Sequence, residues 1–283
     1  MKILITGSSG QLAKELISYI SGFQDSNISL ISKSSNELNI CDKEKVISVI
    51  NIIKPDVVIN CAAYTDVEGC EKNIENAFNV NSLGPRNLAI ACEMVNGKLV
   101  HISTDYVFNG NSFIPYKEFD LPNPINVYGK TKYLGEEYVK QFCKRYFIIR
   151  TSWLYGFYGK NFVKTILNKG KELGELKIVN DQIGSPTSAR ELTYHIFKIA
   201  LSDEYGIYHC SNNGQCSWYE FACKIIELSK LQCNIKPITS EEFKTIAKRP
   251  NCSVLDNMML RSTIGDNMSH WEEALKDFIQ KLI

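Results

Sequence analysis

Met1-Lys2-Ile3-Leu4-Ile5-Thr6-Gly7-Ser8-Ser9-Gly10-Gln11-Leu12-Ala13 opens the chain. Lys2 to Thr6 is a short apolar, β-prone run. Two glycines three residues apart follow, and then Leu12, Leu16, Ile17 and Ile20 recur at helical spacing. Strand, glycine turn and helix in that order form the context in which paired glycines signify phosphate binding. Gly7 permits the tight turn, Gly10 lets backbone approach a pyrophosphate, and the small Ala13 lets helix and strand pack closely. The helix N-terminus beginning at Gln11 and Leu12 offers free N–H donors and positive potential to the same anion. The plain alternative is a β-to-α turn that holds no ligand.

The pattern continues outward from this turn. Strands are expected at Lys2 to Thr6, Ile28 to Ser32, Asp56 to Asn60, Lys98 to Ser103 and Tyr146 to Arg150, with helices near 11–22, 43–53, 73–95 and 129–144 between them. Continuously apolar strands separated by helices indicate a buried parallel sheet, so the fold class is α/β, a Rossmann-type doubly wound sheet. Beyond Arg150 the rhythm loosens. Helices are expected at 160–169, 189–201, 217–229 and 271–281, joined by polar or proline-containing segments. The division this suggests is a dinucleotide-binding domain over 1–150 and a smaller, partly helical substrate domain over 151–283, with some elements returning to the sheet.

Bulk properties exclude several classes. The 283 residues carry 32 basic and 31 acidic side chains, a formal charge of +1, so neither nucleic acid nor an anionic membrane is an expected partner. The ten cysteines are dispersed without a C-x-x-C, and the four histidines have no metal-ligand spacing with them; they read as reduced thiols packed as small hydrophobes. The start of the chain runs straight into the glycine turn, and no stretch has the ~18 apolar residues of a membrane span, so a cytoplasmic protein is expected.

Chemistry enters after the fourth strand, which ends in Ser103-Thr104-Asp105-Tyr106-Val107-Phe108. Tyr128 and Lys132 follow at four-residue spacing, which places a phenol and an ammonium on one helix face. A free phenol titrates near ~10, so it exchanges protons near neutrality only when its anion is stabilised, and a fixed cation does that. With 14 tyrosines such a spacing also arises by chance. It recurs at Tyr194 and Lys198, where no strand-end hydroxyl precedes it and helix packing is the better account. In a parallel α/β sheet ligands bind beyond the carboxyl ends of the strands, where Gly7, Gly10, the run Ala62-Ala63-Tyr64 and Thr104 all fall. The second strand ends in Leu30-Ile31-Ser32-Lys33-Ser34 with no acid to hold ribose hydroxyls; Lys33 is positioned to meet a 2′-phosphate, which favours NADPH over NADH. The alternative for Lys33 is a solvated surface lysine.

These motifs together resemble the extended short-chain dehydrogenase/reductase superfamily, and within it the dTDP-4-dehydrorhamnose reductases. The likeness is carried by Gly-Ser-Ser-Gly-Gln-Leu, Ser-Thr-Asp-Tyr-Val-Phe and Tyr-Gly-Lys-Thr-Lys. It continues through Asn60-Cys61-Ala62-Ala63-Tyr64-Thr65-Asp66-Val67, Arg150-Thr151-Ser152-Trp153-Leu154-Tyr155-Gly156 and Asp181-Gln182-Ile183-Gly184-Ser185-Pro186-Thr187. Arg249-Pro250 and Ser253-Val254-Leu255 complete it.

The resemblance implies NAD(P)H-dependent reduction of the C4 ketone of a dTDP-4-dehydro-6-deoxy sugar. It makes Tyr128 the proton donor, Lys132 the holder of the nicotinamide ribose and the cation that lowers the Tyr128 pKa, and Thr104 the hydrogen-bond donor to the carbonyl. It sets Asn39 and Ile40 at the adenine, lines the cofactor with Ala63, Tyr64 and Thr65, and directs Asp105, Tyr106 and Trp153 to the sugar nucleotide. Asn39 stands where the family usually has aspartate. Asn81 reads as securing backbone. Some members dimerise through a magnesium ion held by glutamates. Glu15 and Glu191 match two of those positions and no third is evident, so Mg²⁺ is not expected, while a homodimer is retained. Tyr106 in place of a glutamate argues against a dehydratase. A sibling reductase making another 6-deoxy sugar fits every motif equally, and a non-catalytic NADP-binding regulatory subunit is disfavoured by the intact hydroxyl and Tyr/Lys pair.

Overall fold

The computed structural model describes residues 1–23 and 27–283. In chain order the elements are β1 (Lys2–Thr6), α1 (Gln11–Ser21), β2 (Ser29–Lys33), α2 (Lys43–Ile53), β3 (Val57–Asn60), α3 (Val67–Lys72), α4 (Ile74–Phe78), a π-helical turn (Asn79–Leu83) and α5 (Gly84–Met94). Next come β4 (Lys98–Thr104), a 3₁₀ turn (Asp105–Val107), α6 (Val127–Phe142), β5 (Tyr146–Thr151), β6 (Leu154–Tyr155), α7 (Phe162–Leu173), β7 (Glu175–Val179), β8 (Ile183–Gly184) and β9 (Thr187–Ser188). The chain finishes with α8 (Ala189–Leu201), β10 (Gly206–His209), β11 (Cys216–Ser217), α9 (Trp218–Ser229), β12 (Asn234–Ile238), α10 (Met258–Ser262) and α11 (Trp271–Leu282).

The main sheet is parallel, in the order β10-β5-β4-β3-β1-β2. Successive strands run one way from β1 to β2 and the other way from β3 onward, so the crevice lies at the carboxyl ends of β1 and β3. Side chains alternate across the pleat. Ile3 and Ile5 pack with Leu16 of α1 and Leu192 and Ile196 of α8 on one face, while Leu4 packs with Ile50 of α2 and Leu88 of α5 on the other. Both faces are covered, which is why the strands read as unbroken apolar runs.

Helix starts follow local chemistry. Asp42, Asn126 and Asn161 accept the Lys45, Gly129 and Lys164 backbone N–H groups, capping α2, α6 and α7. Ser217 and Glu220 form a reciprocal capping box on α9. These caps start α6 and α7 two residues to either side of the expected positions. The expected helix over 73–95 is instead interrupted by the π turn, and Asn73 caps the short α4 before it.

Two pairings involve strands that the pattern did not locate, although some C-terminal elements were expected to return to the sheet. β10 returns from the C-terminal half to pair with β5, Gly206 opposite Phe147 through His209 opposite Arg150. β12 pairs in parallel with β7, and a separate core of Tyr155, Val163, Phe221, Trp271 and Phe278 fills that lobe. A buried ion pair ties α6 to the sheet: Arg150 Nη2 lies 2.7 Å from Glu136 Oε2, and Ser103 Oγ donates to Glu136 Oε1 at 2.5 Å. Among the described residues no helix is long and apolar enough to cross a membrane.

Candidate active site

The glycine turn is shaped by Gly7, whose φ of +69° lies in the left-handed region and whose missing side chain leaves room for the Ala62 backbone. Gly10 donates to the Gly7 carbonyl at 2.9 Å and precedes α1 in an extended conformation, with no side chain capping the helix. The first N–H groups of α1 are therefore free for an anion, which is what a dinucleotide pyrophosphate requires. Gln11 faces away, donating to the Leu154 carbonyl at 3.3 Å and accepting from Asn161 at 2.9 Å, so α1 is fastened to the C-terminal half.

At the end of β4 the Thr104 hydroxyl donates to Asp105 Oδ1 at 2.9 Å and accepts from the Tyr106 N–H at 3.2 Å. Ser253 donates to the other Asp105 oxygen at 2.5 Å. Burial pushes the Asp105 carboxyl up to about 6, with the Ser253 and Thr104 hydrogen bonds working against it. Tyr128 sits in the first turn of α6, its ring edge-on to Tyr106 at 5.8 Å. Gly129 permits this approach, because its Cα backs onto the Tyr106 carbonyl.

The phenol of Tyr128 is raised above its ordinary range, chiefly by burial; the Thr104 hydroxyl is the first neighbour to oppose that. Lys132 is 1% exposed, and its nitrogen donates to the Ile102 carbonyl at 2.5 Å and lies 3.3 Å from His101 Nε2. Burial draws it down to about 8. The expected lowering of the Tyr128 pKa is thus absent from this arrangement: desolvation outweighs any cation, and the lysine is held by β4.

A cavity of about 450 Å³ joins Gly10, Gln11, Leu12, Ala63 and Thr65 to Thr104, Asp105, Tyr106, Tyr128, Lys132 and Trp153. A second, of about 260 Å³, is lined by Gly7, Asn39, Ile40 and Ala62, and shares Gly10, Cys61 and Ala63 with the first. The shared lining residues set the two cavities side by side at the carboxyl ends of β1 and β3, where a dinucleotide and a second ligand would lie. The open glycine turn and uncapped helix fit the pyrophosphate.

Other expected residues lie elsewhere. Tyr64 lines neither cavity; Asn81 clamps its backbone, accepting from its N–H at 2.8 Å and donating to its carbonyl at 3.0 Å. Lys33 also lines neither, its ammonium lying 3.7 Å from Glu37. Glu15 accepts from the Phe157 N–H, and Glu191 from Asn212 and Ser269, so both are used within the chain. Among the described residues no three acidic, histidine or cysteine side chains cluster to hold a metal. Tyr194 is 37% exposed, and Lys198 donates to the Ile264 carbonyl.

Sequence reasoning missed Trp218, which opens α9 and stacks on Trp153 at 3.5 Å and 7° to line the sugar side of the groove. In the sequence Trp218 is one of three aromatics in Trp218-Tyr219-Glu220-Phe221, and nothing there singles it out. Trp153 reaches that stack through a φ of +47° and a close contact with Gly184, which has no side chain to obstruct it. Ser253 and His101 were missed too; each acts through a residue distant in sequence.

The model of the RmlD substrate binding domain matches residues 1–283. A dTDP-4-dehydrorhamnose reductase structure from Clostridium acetobutylicum is 46% identical with a TM-score of 0.97, covering 100% of this chain and 99% of that one. One from Bacillus anthracis, in complex with NADP, is 44% identical with a TM-score of 0.95 and 99% of each chain covered. The spore coat polysaccharide biosynthesis protein SpsK of Bacillus subtilis is 41% identical over 280 residues, 99% of this chain and 97% of that protein. With its glycine turn, strand-end hydroxyl and Tyr/Lys helix in one groove, the chain belongs to the RmlD substrate-binding-domain family, that of the dTDP-4-dehydrorhamnose reductases.

Proposed function

We propose that this chain reduces the C4 ketone of dTDP-4-dehydro-β-L-rhamnose to dTDP-L-rhamnose, with NADPH as reductant. The observation that carries the proposal is the meeting of Thr104 and Tyr128 in one groove wall, one helical turn from Lys132 and continuous with the glycine turn. Bound NADPH supplies a hydride to C4; the chain supplies the rest. Gly7, Gly10 and the first turn of α1 at Gln11 and Leu12 take the pyrophosphate. Asn39 and Ile40 flank the adenine, Ala62, Ala63 and Thr65 line the cofactor, Tyr64 keeps that run in place through its backbone bonds to Asn81, and Lys132 holds the nicotinamide ribose.

Thr104 orients the ketone oxygen by turning its proton from Asp105 toward it, which leaves Asp105 with Ser253. Tyr128 then gives its phenolic proton to that oxygen as negative charge develops there. Burial keeps the phenol protonated until then. Tyr106, Trp153 and Trp218 face the sugar nucleotide, and Asp105 acts through Thr104. In this scheme residues 1–150 serve mainly the cofactor and 151–283 mainly the sugar nucleotide. The enzyme works in the cytoplasm, and a homodimer is its expected assembly.

The test supplies purified protein with the 4-keto sugar nucleotide and NADPH or NADH, follows the nicotinamide absorbance, and determines the C4 configuration of the product. No turnover with any dTDP-4-keto sugar overturns the proposal, and the opposite C4 configuration assigns the chain to a sibling reductase. Lys33→Ala checks the cofactor choice: preference for NADPH should fall about tenfold if this ammonium leaves Glu37 for a 2′-phosphate, as one lost charge-assisted contact allows. An unchanged ratio removes Lys33 from the account.

A further inference from the structure

His101 stands in β4, wholly buried, between Asn60 at the end of β3 and Lys132 on α6. Its hydrogen bonds do not balance if Lys132 carries its usual proton. The Ala62 N–H donates to Asn60 Oδ1 at 3.1 Å, and the Thr6 hydroxyl donates to the same oxygen at 2.7 Å. A backbone N–H can only donate, so it fixes which way the Asn60 amide faces. Asn60 Nδ2 therefore points a donor at His101 Nδ1, 3.1 Å away. Nδ1 must accept, and the single proton of the neutral ring sits on Nε2, facing Lys132 Nζ at 3.3 Å. An ammonium has three donors and nothing to accept with; a neutral amine has a lone pair.

The other two buried histidines show no such conflict. His195 Nδ1 faces the Glu191 carbonyl while its Nε2 accepts from the Asn267 N–H. His209 Nδ1 faces the Tyr116 carbonyl while its Nε2 faces the Arg150 guanidinium. Each has one partner that accepts and one that donates.

We propose that His101 is a positioning residue that ties the proton of Lys132 to its own tautomer. As an amine Lys132 accepts from Nε2–H, and it becomes an ammonium only as the ring moves its proton to Nδ1 and gives up the Asn60 bond. In that change one proton enters from solvent onto Lys132, the ring stays neutral, and the net gain is one positive charge. The groups facing Lys132 are His101 and the Ile102 carbonyl from β4, Cys61 beyond β3, and Glu136 on its own helix, already paired with Arg150 and Ser103. The Cys61 thiol is pushed up to about 12 by burial and stays uncharged. Burial, and then Lys132, hold His101 well below the ordinary histidine range, so the ring does not become an imidazolium on the way.

The proposal rests on the reductase assignment only for its kinetic consequence, and its main test needs no turnover. In protein labelled with ¹⁵N-histidine and free of cofactor, imidazole shifts report the tautomer from about pH 6 to about pH 10, a range spanning the Lys132 pKa of about 8. His195 and His209 serve as Nδ1–H references, and the signal of exposed His270 is assigned by its loss in a His270→Gln variant. The third buried ring is expected as Nε2–H at the alkaline end, converting to uncharged Nδ1–H as pH falls through about 8. A ring that keeps one tautomer throughout, or that takes a second proton, overturns the proposal.

Lys132→Met should hold the ring as Nε2–H at every pH, because only Asn60 then directs it; conversion in that variant also overturns it. Asn60→Asp offers Nδ1–H an acceptor, favours the ammonium, and should raise the alkaline limb of kcat/KM by about one pH unit, a tenfold change in proton affinity. An unmoved limb in a folded, active Asn60→Asp enzyme counts against the proposal. If that variant fails to fold, the parent spectrum decides alone. Absence of turnover in the parent would defeat the reductase assignment and leave the tautomer result standing.

Discussion

A Cβ placed on Gly7 would lie 2.6 Å from the backbone nitrogen of Ala62, so the turn after β1 and the end of β3 meet through a side chain that is not there. Gly7→Ala must move one strand end and also hold alanine at a φ of +69°. The expected cost is about 2–4 kcal/mol of stability, from left-handed strain together with the displaced contact. Gly10 has an extended backbone, and a Cβ there meets only the Gly7 carbonyl at 3.2 Å, so Gly10→Ala should fold nearly as well. Its loss should appear in cofactor affinity. Denaturant melts and a cofactor titration on both variants separate the two effects, and equal stability of Gly7→Ala and the parent would refute the contact argument.

Tyr128→Phe should lower kcat by about 10²–10⁴, the usual range for loss of a general acid. Cofactor affinity should hold within about twofold, because the phenolic proton matters in the transition state. Turnover near the parent level would mean that another group is the acid.

Asp105 makes stability depend on pH. Its folded pKa of about 6 exceeds the ordinary 3.8, so between those values the native state binds a proton that the unfolded chain has released. Stability therefore falls as pH rises through this window, by an amount on the order of 3 kcal/mol for a shift of this size, and it is recovered on acidification. Asp105→Asn should flatten this limb of the stability curve. A parent curve that rises with pH over the same interval, with the variant running parallel, would contradict the assignment.

Glu136→Leu strands the Arg150 guanidinium in the core and should cost about 3–5 kcal/mol, the range for a broken buried pair. The double variant Glu136→Leu with Arg150→Met should regain most of that, since neither charge is then left unpaired. A double variant as unstable as the single one would show that hydrogen bonds from Ser103, rather than the pair, hold α6 to the sheet.

The first five strands and the glycine turn were legible because each is a continuous apolar run beside a backbone-specific residue. The convergence of Tyr128, Lys132 and Thr104 on one cavity was legible because their spacing and strand-end position are local facts. What escaped detection is non-local. β10 spans four residues, Gly206 to His209, too few for a pattern, and its place at the sheet edge is set by pairing with β5. The break in the helix expected over 73–95 comes from Asn81 turning inward to clamp Tyr64, seventeen residues earlier in the chain. Lys33 was expected at a phosphate from its strand-end position alone, but Glu37, one helical turn's spacing away, competes for it. The Lys132 environment depends on His101 and Ile102, which sequence spacing does not connect to it.

The stack of Trp153 on Trp218 gives the protein its own optical reporter. Two of the three tryptophans lie face to face in the groove, close enough for their excited states to couple, while Trp271 is buried inside the C-terminal core against which both pack. A sugar nucleotide settling against these indoles perturbs a paired chromophore rather than an isolated one. Occupancy of the groove should therefore be readable without a label, as a change in an exciton couplet in the circular dichroism spectrum.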